Sequence, residues 1–352
     1  MLPGYHNHKQ SLSLKNFPKE GSSFQGKIAS YQPYFILNKQ VIKLLGKGGF
    51  GAVFQVQSSI DNKMYAAKLE SYEHSRKITE ILNSSHFCKI FELGKVEGKF
   101  RFIIITMLGP NLHTLRISHE KNHFSLGTAL RFAQQSLEAL QDMHSIGFLH
   151  RDVKPSNFGI GRPETNDFHI VYIFDFGLAR QFATRDKDCR IPRKFASFRG
   201  TPRYASLSSH RKQEQSPKDD IESWFYMIIE WTIGTLPWRR LKNQDRDMIM
   251  LMKEQSRELD GVNLLLDGCP LPHYRMIMQY IDNLQYTSIP DYGYIYFLLK
   301  HIAKKNRISP DEPLDHDPEH PYSGTETPPS CLPYGVVIST AETIISNDTN
   351  KK

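Results

Sequence analysis

Between Gln40 and Leu69, apolar and β-branched residues come in short runs, Gln40 to Leu45, Ala52 to Gln57 and Met64 to Leu69, separated by Gly, Ser, Asp and Asn. Runs of that length with such punctuation predict strands joined by tight turns, hence a small antiparallel sheet. Gly94 to Met107 adds a hairpin, with Glu97-Gly98 as the turn between Lys95-Val96 and the strongly apolar Phe102 to Met107. After Gly109-Pro110 the period changes. Thr128 to His144 sets Ala129, Phe132, Ala133, Ser136, Leu137, Leu140 and Met143 on one helical face, so a helical lobe is expected to begin there. The most apolar stretch, Trp224 to Trp238, is interrupted by Glu230 and Gly234 and is shorter than the roughly 20 residues a membrane helix needs. It is expected to be a buried helix of the larger lobe.

The ends differ in grain. Residues 1–33 are polar, rich in Ser, Lys and Gly, and without periodicity, as in a flexible arm. Residues 308–352 turn to Pro, Asp, Glu, Ser and Thr, which predicts a Pro-rich disordered tail. Between them the expected fold class is α+β: a β-rich lobe over 34–108 followed by a large α-helical lobe over 109–307. A chain of 352 residues can bury a sizeable core without staples. The cysteines, Cys88, Cys189, Cys269 and Cys331, form no C-x-x-C pair and read as reduced thiols. Met1 to Gly26 offers no apolar core of a signal peptide, so a cytoplasmic chain is expected, with the nucleus as an alternative and no membrane partner. The net charge of +8 suits an acidic partner without saying which.

Four motifs narrow the chemistry. Gly46-Lys47-Gly48-Gly49-Phe50-Gly51-Ala52-Val53 is a G-x-G-x-x-G-x-V string between two predicted strands, a setting that favours a flap whose backbone amides cover phosphates over a dinucleotide fingerprint. Ala66-Ala67-Lys68 stands on the next-but-one strand, where the ammonium could reach phosphates beneath that flap. His150-Arg151-Asp152-Val153-Lys154-Pro155-Ser156-Asn157 follows, and Asp175-Phe176-Gly177 comes after the apolar run Ile170 to Phe174. Each string alone is ordinary; the four in this order and separation resemble the protein kinase superfamily.

That resemblance implies a Ser/Thr protein kinase of two lobes, the smaller carrying one helix, using ATP and Mg²⁺. Asp152 would orient the acceptor hydroxyl and accept its proton, Lys154 would touch the γ-phosphate, and Lys68 the α- and β-phosphates. Thr201, in Gly200-Thr201-Pro202, would bond to Asp152 and Lys154. Asp175 and Asn157 would hold Mg²⁺. Gly46, Lys47, Gly48, Gly49, Phe50, Gly51, Val53, Ala66 and Leu108 would surround the nucleotide, with Leu108 at the hinge. The span from Lys68 to Cys88 is short for the helix whose glutamate pairs with the strand lysine; Glu80 fits best and Glu73 is the alternative. The string Phe148 to Phe158, Gly200 to Ser206, and Gly234-Thr235-Leu236-Pro237-Trp238 resemble the casein kinase 1 group, and Asp175 to Phe182 with the basic loop after it resembles the tau-tubulin kinase branch. The usual A-P-E triplet is missing, Ala205-Ser206-Leu207 standing in its place. Asp220 would anchor the catalytic loop from the buried helix.

The family's habits imply protein substrates with acidic or phosphorylated segments, met by Arg180, Lys187, Arg190, Arg193, Lys194 and Arg199, and a monomer that does not act on nucleic acid. Two competing readings stand beside this one. His119-Glu120-Lys121-Asn122-His123 matches the H-E-x-x-H zinc string. The basic loop could also serve a catalytically weak, kinase-like binding module.

Overall fold

A computed structural model describes residues 23–24, 38–48, 51–69, 84–96, 100–183 and 190–321. The smaller lobe is a six-stranded antiparallel sheet of β1 (Ser23–Phe24), β2 (Lys39–Gly48), β3 (Gly51–Ser58), β4 (Met64–Leu69), β5 (Ile90–Val96) and β6 (Phe100–Thr106), in the order β1-β2-β3-β4-β6-β5. Strict alternation along β3 sends Ala52, Phe54 and Val56 to one face, where they meet Val41, Ala67, Leu69, Phe102 and Ile104 in a small core. Val53 lies on the other face, in register with Lys68, and Ala66 is two residues from Lys68 on that same side. The predicted hairpin is present, although β5 begins earlier than expected, and its turn residues 97–99 lie outside the described residues.

Eight α-helices among the described residues build the larger lobe. They are α1 (Leu112–Ser118), α2 (Leu126–Ser145), α3 (Leu207–His210), α4 (Pro217–Ile233), α5 (Arg246–Gln255), α6 (Leu259–Leu265), α7 (Leu271–Asn283) and α8 (Tyr292–Lys305). Helix α2 starts where Ser125 accepts the Thr128 N–H at 3.2 Å, and its predicted apolar face packs on α4. Trp224 fixes that contact, its indole N–H donating to Ala133 O at 3.1 Å and Ser136 Oγ at 3.0 Å. Helix α4 is the expected buried helix and stops at Gly234, whose φ of +80° favours glycine. No helix among the described residues is long and apolar enough to cross a membrane.

Both expected boundaries of the domain are too narrow. At the amino-terminal end, Ser23 and Phe24 of the supposed arm pair with Gln40 and Lys39. At the other end, residues 308–321 pack onto the start of α2. Arg131 donates to Ser309 O at 2.5 Å and Pro310 O at 3.2 Å; the Asp315 N–H donates to Thr128 Oγ1 at 2.9 Å, and Asp315 Oδ2 takes the Ser125 N–H at 2.7 Å. Leu314 is buried beneath them. The acidic and proline residues that read as a linker are here capping and anchoring groups, a use composition cannot distinguish from solvation. Residues 322–352 lie outside the described residues.

The H-E-x-x-H reading fails on geometry. Helix α1 ends at Ser118, Asn122 has a left-handed φ of +54°, and the His119 ring packs against Phe124. The two histidines therefore do not share a helical turn. Among the described residues no cluster of three His, Cys, Asp or Glu could hold a metal.

Candidate active site

Strand β7 (Phe148–Leu149) delivers the chain into the His150 to Asn157 loop, and β10 (Arg180–Gln181) pairs with it. This loop is held from behind. Asp220, buried in the first turn of α4, accepts the N–H of His150 at 2.7 Å and of Arg151 at 2.8 Å, and contacts His144 Nε2 at 2.9 Å. Burial alone would raise the Asp220 carboxyl, but the His144 hydrogen bond and charge, His150 and the backbone N–H together bring it below the usual range. The bond to Arg151 stabilises a left-handed backbone, φ +65°, that residues other than glycine seldom adopt. The His150 ring is committed to structure: Nδ1 accepts the Asp152 N–H at 3.2 Å and Nε2 donates to Phe174 O at 3.1 Å.

Four of the residues singled out by sequence meet here. Lys154 Nζ lies 2.7 Å from Asp152 Oδ2 and donates to Thr201 Oγ1 at 3.1 Å, while the Thr201 hydroxyl donates to Asp152 Oδ1 at 2.8 Å. Asn157 donates its amide N–H to Asp152 O at 2.9 Å and to Oδ2 at 3.3 Å. Thr201 comes this close because Gly200 has φ +105° and any Cβ there would sit 2.9 Å from Arg151 O. Asp152 is thus a nearly buried carboxylate with both oxygens fixed.

Asp175 lies across from this group in a left-handed conformation, φ +67°, followed by a 3₁₀ turn at Phe176–Leu178. Phe176 stacks on Phe87 at 5.8 Å and sits edge-on to His150 at 5.7 Å, so the turn is clamped by the core. Lys68 reaches from β4 to Asp175 Oδ1 at 3.0 Å. Burial would raise the Asp175 carboxyl; the charge and hydrogen bond of Lys68, with His150 and Lys154, outweigh it and hold the group below its ordinary value. Asp175 is therefore an anion at neutral pH. Asn157 Oδ1 has no protein partner among the described residues, so the unengaged donors at this place are oxygens of a carboxylate and an amide. That set suits a hard divalent cation such as Mg²⁺.

The flap side is more open. Gly46 and Lys47 are exposed at the end of β2, Gly48 pairs with Gly51, and a Cβ on Gly46 would meet nothing within 4 Å. Gly49 and Phe50 lie outside the described residues, as do both Glu80 and Glu73. Leu108 is half-buried between β6 and Gly109, whose N–H donates to Ile160 O at 2.9 Å, so this link joins the lobes.

The basic loop differs from expectation. Arg193 makes a two-pronged contact with Glu214, and Arg180 Nε lies 3.4 Å from the same carboxylate. Those two cations share one internal carboxylate. Arg190, Lys194 and Arg199 are exposed and have no carboxylate within ion-pair distance among the described residues; Lys187 lies outside them. Beside Lys154 and Thr201 opens a cleft of about 270 Å³, lined also by His113, Ser156, Arg203 and Asn243. Burial and nearby Arg116 keep His113 below its ordinary pKa.

Sequence reasoning missed Glu222. Its carboxylate takes the Leu207 N–H at 3.2 Å to each oxygen and is held by Arg257 at 2.9 Å and the Tyr226 hydroxyl at 2.8 Å. A glutamate of α4 thereby anchors the segment where the A-P-E triplet is missing. It stands two residues after Asp220, but its partner Arg257 is 35 positions away and carries no local signal.

Comparison with known proteins agrees with this geometry. The protein kinase domain family matches residues 39–284. A "Probable serine/threonine-protein kinase" of Dictyostelium discoideum is 34% identical over 283 residues, 78% of this chain and 55% of that protein. The serine/threonine-protein kinase spe-6 of Caenorhabditis elegans is 33% identical over 285 residues, 78% of this chain and 74% of its own length. Casein kinase I homolog 2 of Schizosaccharomyces pombe is 28% identical over 285 residues, 78% of this chain and 65% of that protein. The chain thus spans just over half of the first relative and about two thirds to three quarters of the others. With a β-sheet lobe, a helical lobe and the four motifs converging between them, the chain belongs to the protein kinase family, among its Ser/Thr kinases and related to casein kinase I.

Proposed function

We propose that this chain is a catalytically competent Ser/Thr protein kinase that transfers the γ-phosphoryl group of ATP to protein hydroxyls and favours acidic or phosphorylated substrates. The observation that carries the reading is the Asp152–Lys154–Thr201 constellation, in which a carboxylate, an ammonium and a hydroxyl are mutually bonded and fixed before substrate arrives. Phosphoryl transfer is dominated by positioning and charge neutralisation, which such a group supplies without a covalent intermediate. Asp152 accepts the hydrogen bond of the acceptor hydroxyl, orients its oxygen and takes its proton as the bond to phosphorus forms. Lys154 exchanges part of its bond with Asp152 for the γ-phosphate as negative charge shifts to the bridging oxygen. Lys68 steadies the α- and β-phosphates, Val53, Ala66 and Leu108 flank the adenine, and the Gly46 to Gly51 flap donates backbone N–H groups. Asp175 and Asn157 would hold Mg²⁺, which when bound neutralises charge on the phosphates.

Substrate preference follows from charge. Lys154 and Arg203 line the cleft beside the acceptor position, and Arg190, Lys194 and Arg199 lie exposed beyond it. A carboxylate or phosphate on the substrate would meet cations there. Arg180 and Arg193 contribute less to that surface because they share the single charge of Glu214. The rival reading, a weak kinase-like binding module, would lack transfer while keeping this surface. Incubating the full chain with labelled ATP, Mg²⁺ and casein separates the two. Label on casein serine or threonine supports catalysis; casein binding without label supports the module.

A further inference from the structure

Helix α5 carries an ammonium group in a place where the fold has no evident need for one. Lys253 is 0% exposed. Among the described residues no carboxylate lies within ion-pair distance of it. Its Nζ instead donates to Ala205 O at 2.5 Å and Pro202 O at 3.0 Å, beneath the faces of Tyr226 at 4.5 Å and Trp238 at 5.2 Å. His210 Nε2 also reaches Pro202 O, at 3.1 Å. Stabilising a buried ammonium with two carbonyls and two ring faces is expensive compared with an apolar residue of similar volume.

The two carbonyls belong to the turn that begins at Thr201. Thr201 O accepts the N–H groups of Tyr204 and Ala205, each at 2.9 Å, so residues 201–205 form one bonded unit. Lys253 ties that unit to α5 at two points, immediately after and four residues after the hydroxyl that bonds Asp152 and Lys154. Glu222 secures the next residue, Leu207, and the Tyr204 hydroxyl is held by buried Glu230 at 2.6 Å. Lys253 shares the carbonyl next to Thr201 with His210, and of these groups it is the one that bonds both the Pro202 and the Ala205 carbonyls.

We propose that Lys253 is a positioning residue for phosphoryl transfer, acting through the Pro202 and Ala205 carbonyls to set Thr201 against Asp152 and Lys154. It touches neither nucleotide nor acceptor, and it works by donating hydrogen bonds to backbone. The inference rests on the kinase reading above, because its readout is turnover.

The test uses the full chain, casein and Mg·ATP, with wild type, Lys253→Met, Lys253→Gln, Thr201→Ala and the double variant Lys253→Met/Thr201→Ala. Methionine keeps the length without a donor; glutamine keeps a donor without charge. Expected for Lys253→Met is a kcat lower by about 10-fold with KM for ATP changed less than about 2-fold, the pattern of an interaction felt only in the transition state. Lys253→Gln should recover part of that loss at equal or lower melting temperature. In the Thr201→Ala background, Lys253→Met should lower kcat by less than about 2-fold more, because residues acting as a unit are not additive. Losses that multiply in the double variant, or a folded Lys253→Met with full kcat, overturn the proposal. So does failure of both Lys253 variants to fold, which makes the residue a structural support alone. A wild-type chain that transfers no phosphate overturns the kinase reading and this inference together, whereas an active wild type confines any failure to Lys253.

Discussion

The two walls of the cleft are built in opposite ways. On the helical side every polar group is backed by a second one: Asp152 by Thr201, Lys154 and Asn157, and the loop that carries it by buried Asp220. On the sheet side, alternation aims Val53, Ala66 and Lys68 at the cleft, Lys68 being tied across it to Asp175, and Gly46 has nothing within 4 Å of where a Cβ would be. One wall is held by a bonded network; the other opens to space at Gly46. The difference teaches where substitutions should hurt. A change in the helical wall disturbs a bonded network, whereas a change in the flap meets open space.

The comparison can be broken most readily at Asp175. Asp175→Asn removes the charge of a proposed Mg²⁺ donor and the partner of Lys68, and should lower transfer by about 10³-fold or more, the several kcal/mol a positioned cation supplies. Far-UV circular dichroism should stay unchanged; retained transfer would remove the metal assignment. Asp152→Asn should reduce kcat by about 10²-fold with nucleotide affinity kept, as expected for loss of a base and orienting group. Asp220→Asn leaves the fold's buried acceptor weaker, and should lower stability by about 1.5–3 kcal/mol in urea unfolding and kcat by about 10-fold. If kcat is untouched there, the loop does not need its anchor.

Much of the helical wall was legible because its chemistry is local. Asp152, Lys154 and Asn157 fall within one string, and Asp175-Phe176-Gly177 is contiguous. Thr201 and Asp220 were reached through the family resemblance, not through spacing. What stayed hidden is the support from distant sequence. Glu214 meets Arg193 across 21 positions, Glu222 meets Arg257 across 35 and Lys253 meets Pro202 across 51, and none of these charges leaves a periodic trace. The sheet's strands were placed by their short apolar runs to within a few residues, apart from the earlier start of β5 and from β1, which lies in the stretch read as an arm. Residues 308–321 were misread because Pro and Asp look alike in composition whether they cap a helix or face water.

A smaller effect concerns the support of Thr201. Burial, then the charge of Lys253, depresses His210 to about 4 from an ordinary value of 6.5, with Glu222 and Arg246 as the other charges acting on it. A folded pKa below the unfolded one means the unfolded chain binds more protons between those values. The contribution is full above about pH 6.5 and is lost as pH falls toward 4, amounting to at most about 3 kcal/mol. Urea unfolding should show this loss in wild type and a shallower one in His210→Gln; parallel curves would show that folding does not depress the His210 pKa. The smallest effect should come from the open wall, where Gly46→Ala should leave kcat and KM for ATP within about 2-fold.

The most direct measurement is transfer of labelled phosphate from ATP to casein by the purified full chain, with Asp175→Asn run beside it. Expected is Mg²⁺-dependent label on serine or threonine in the wild type and background in the variant, with both proteins folded. A folded wild type that binds ATP but labels casein no more than Asp175→Asn would contradict the reading of this chain as an active kinase.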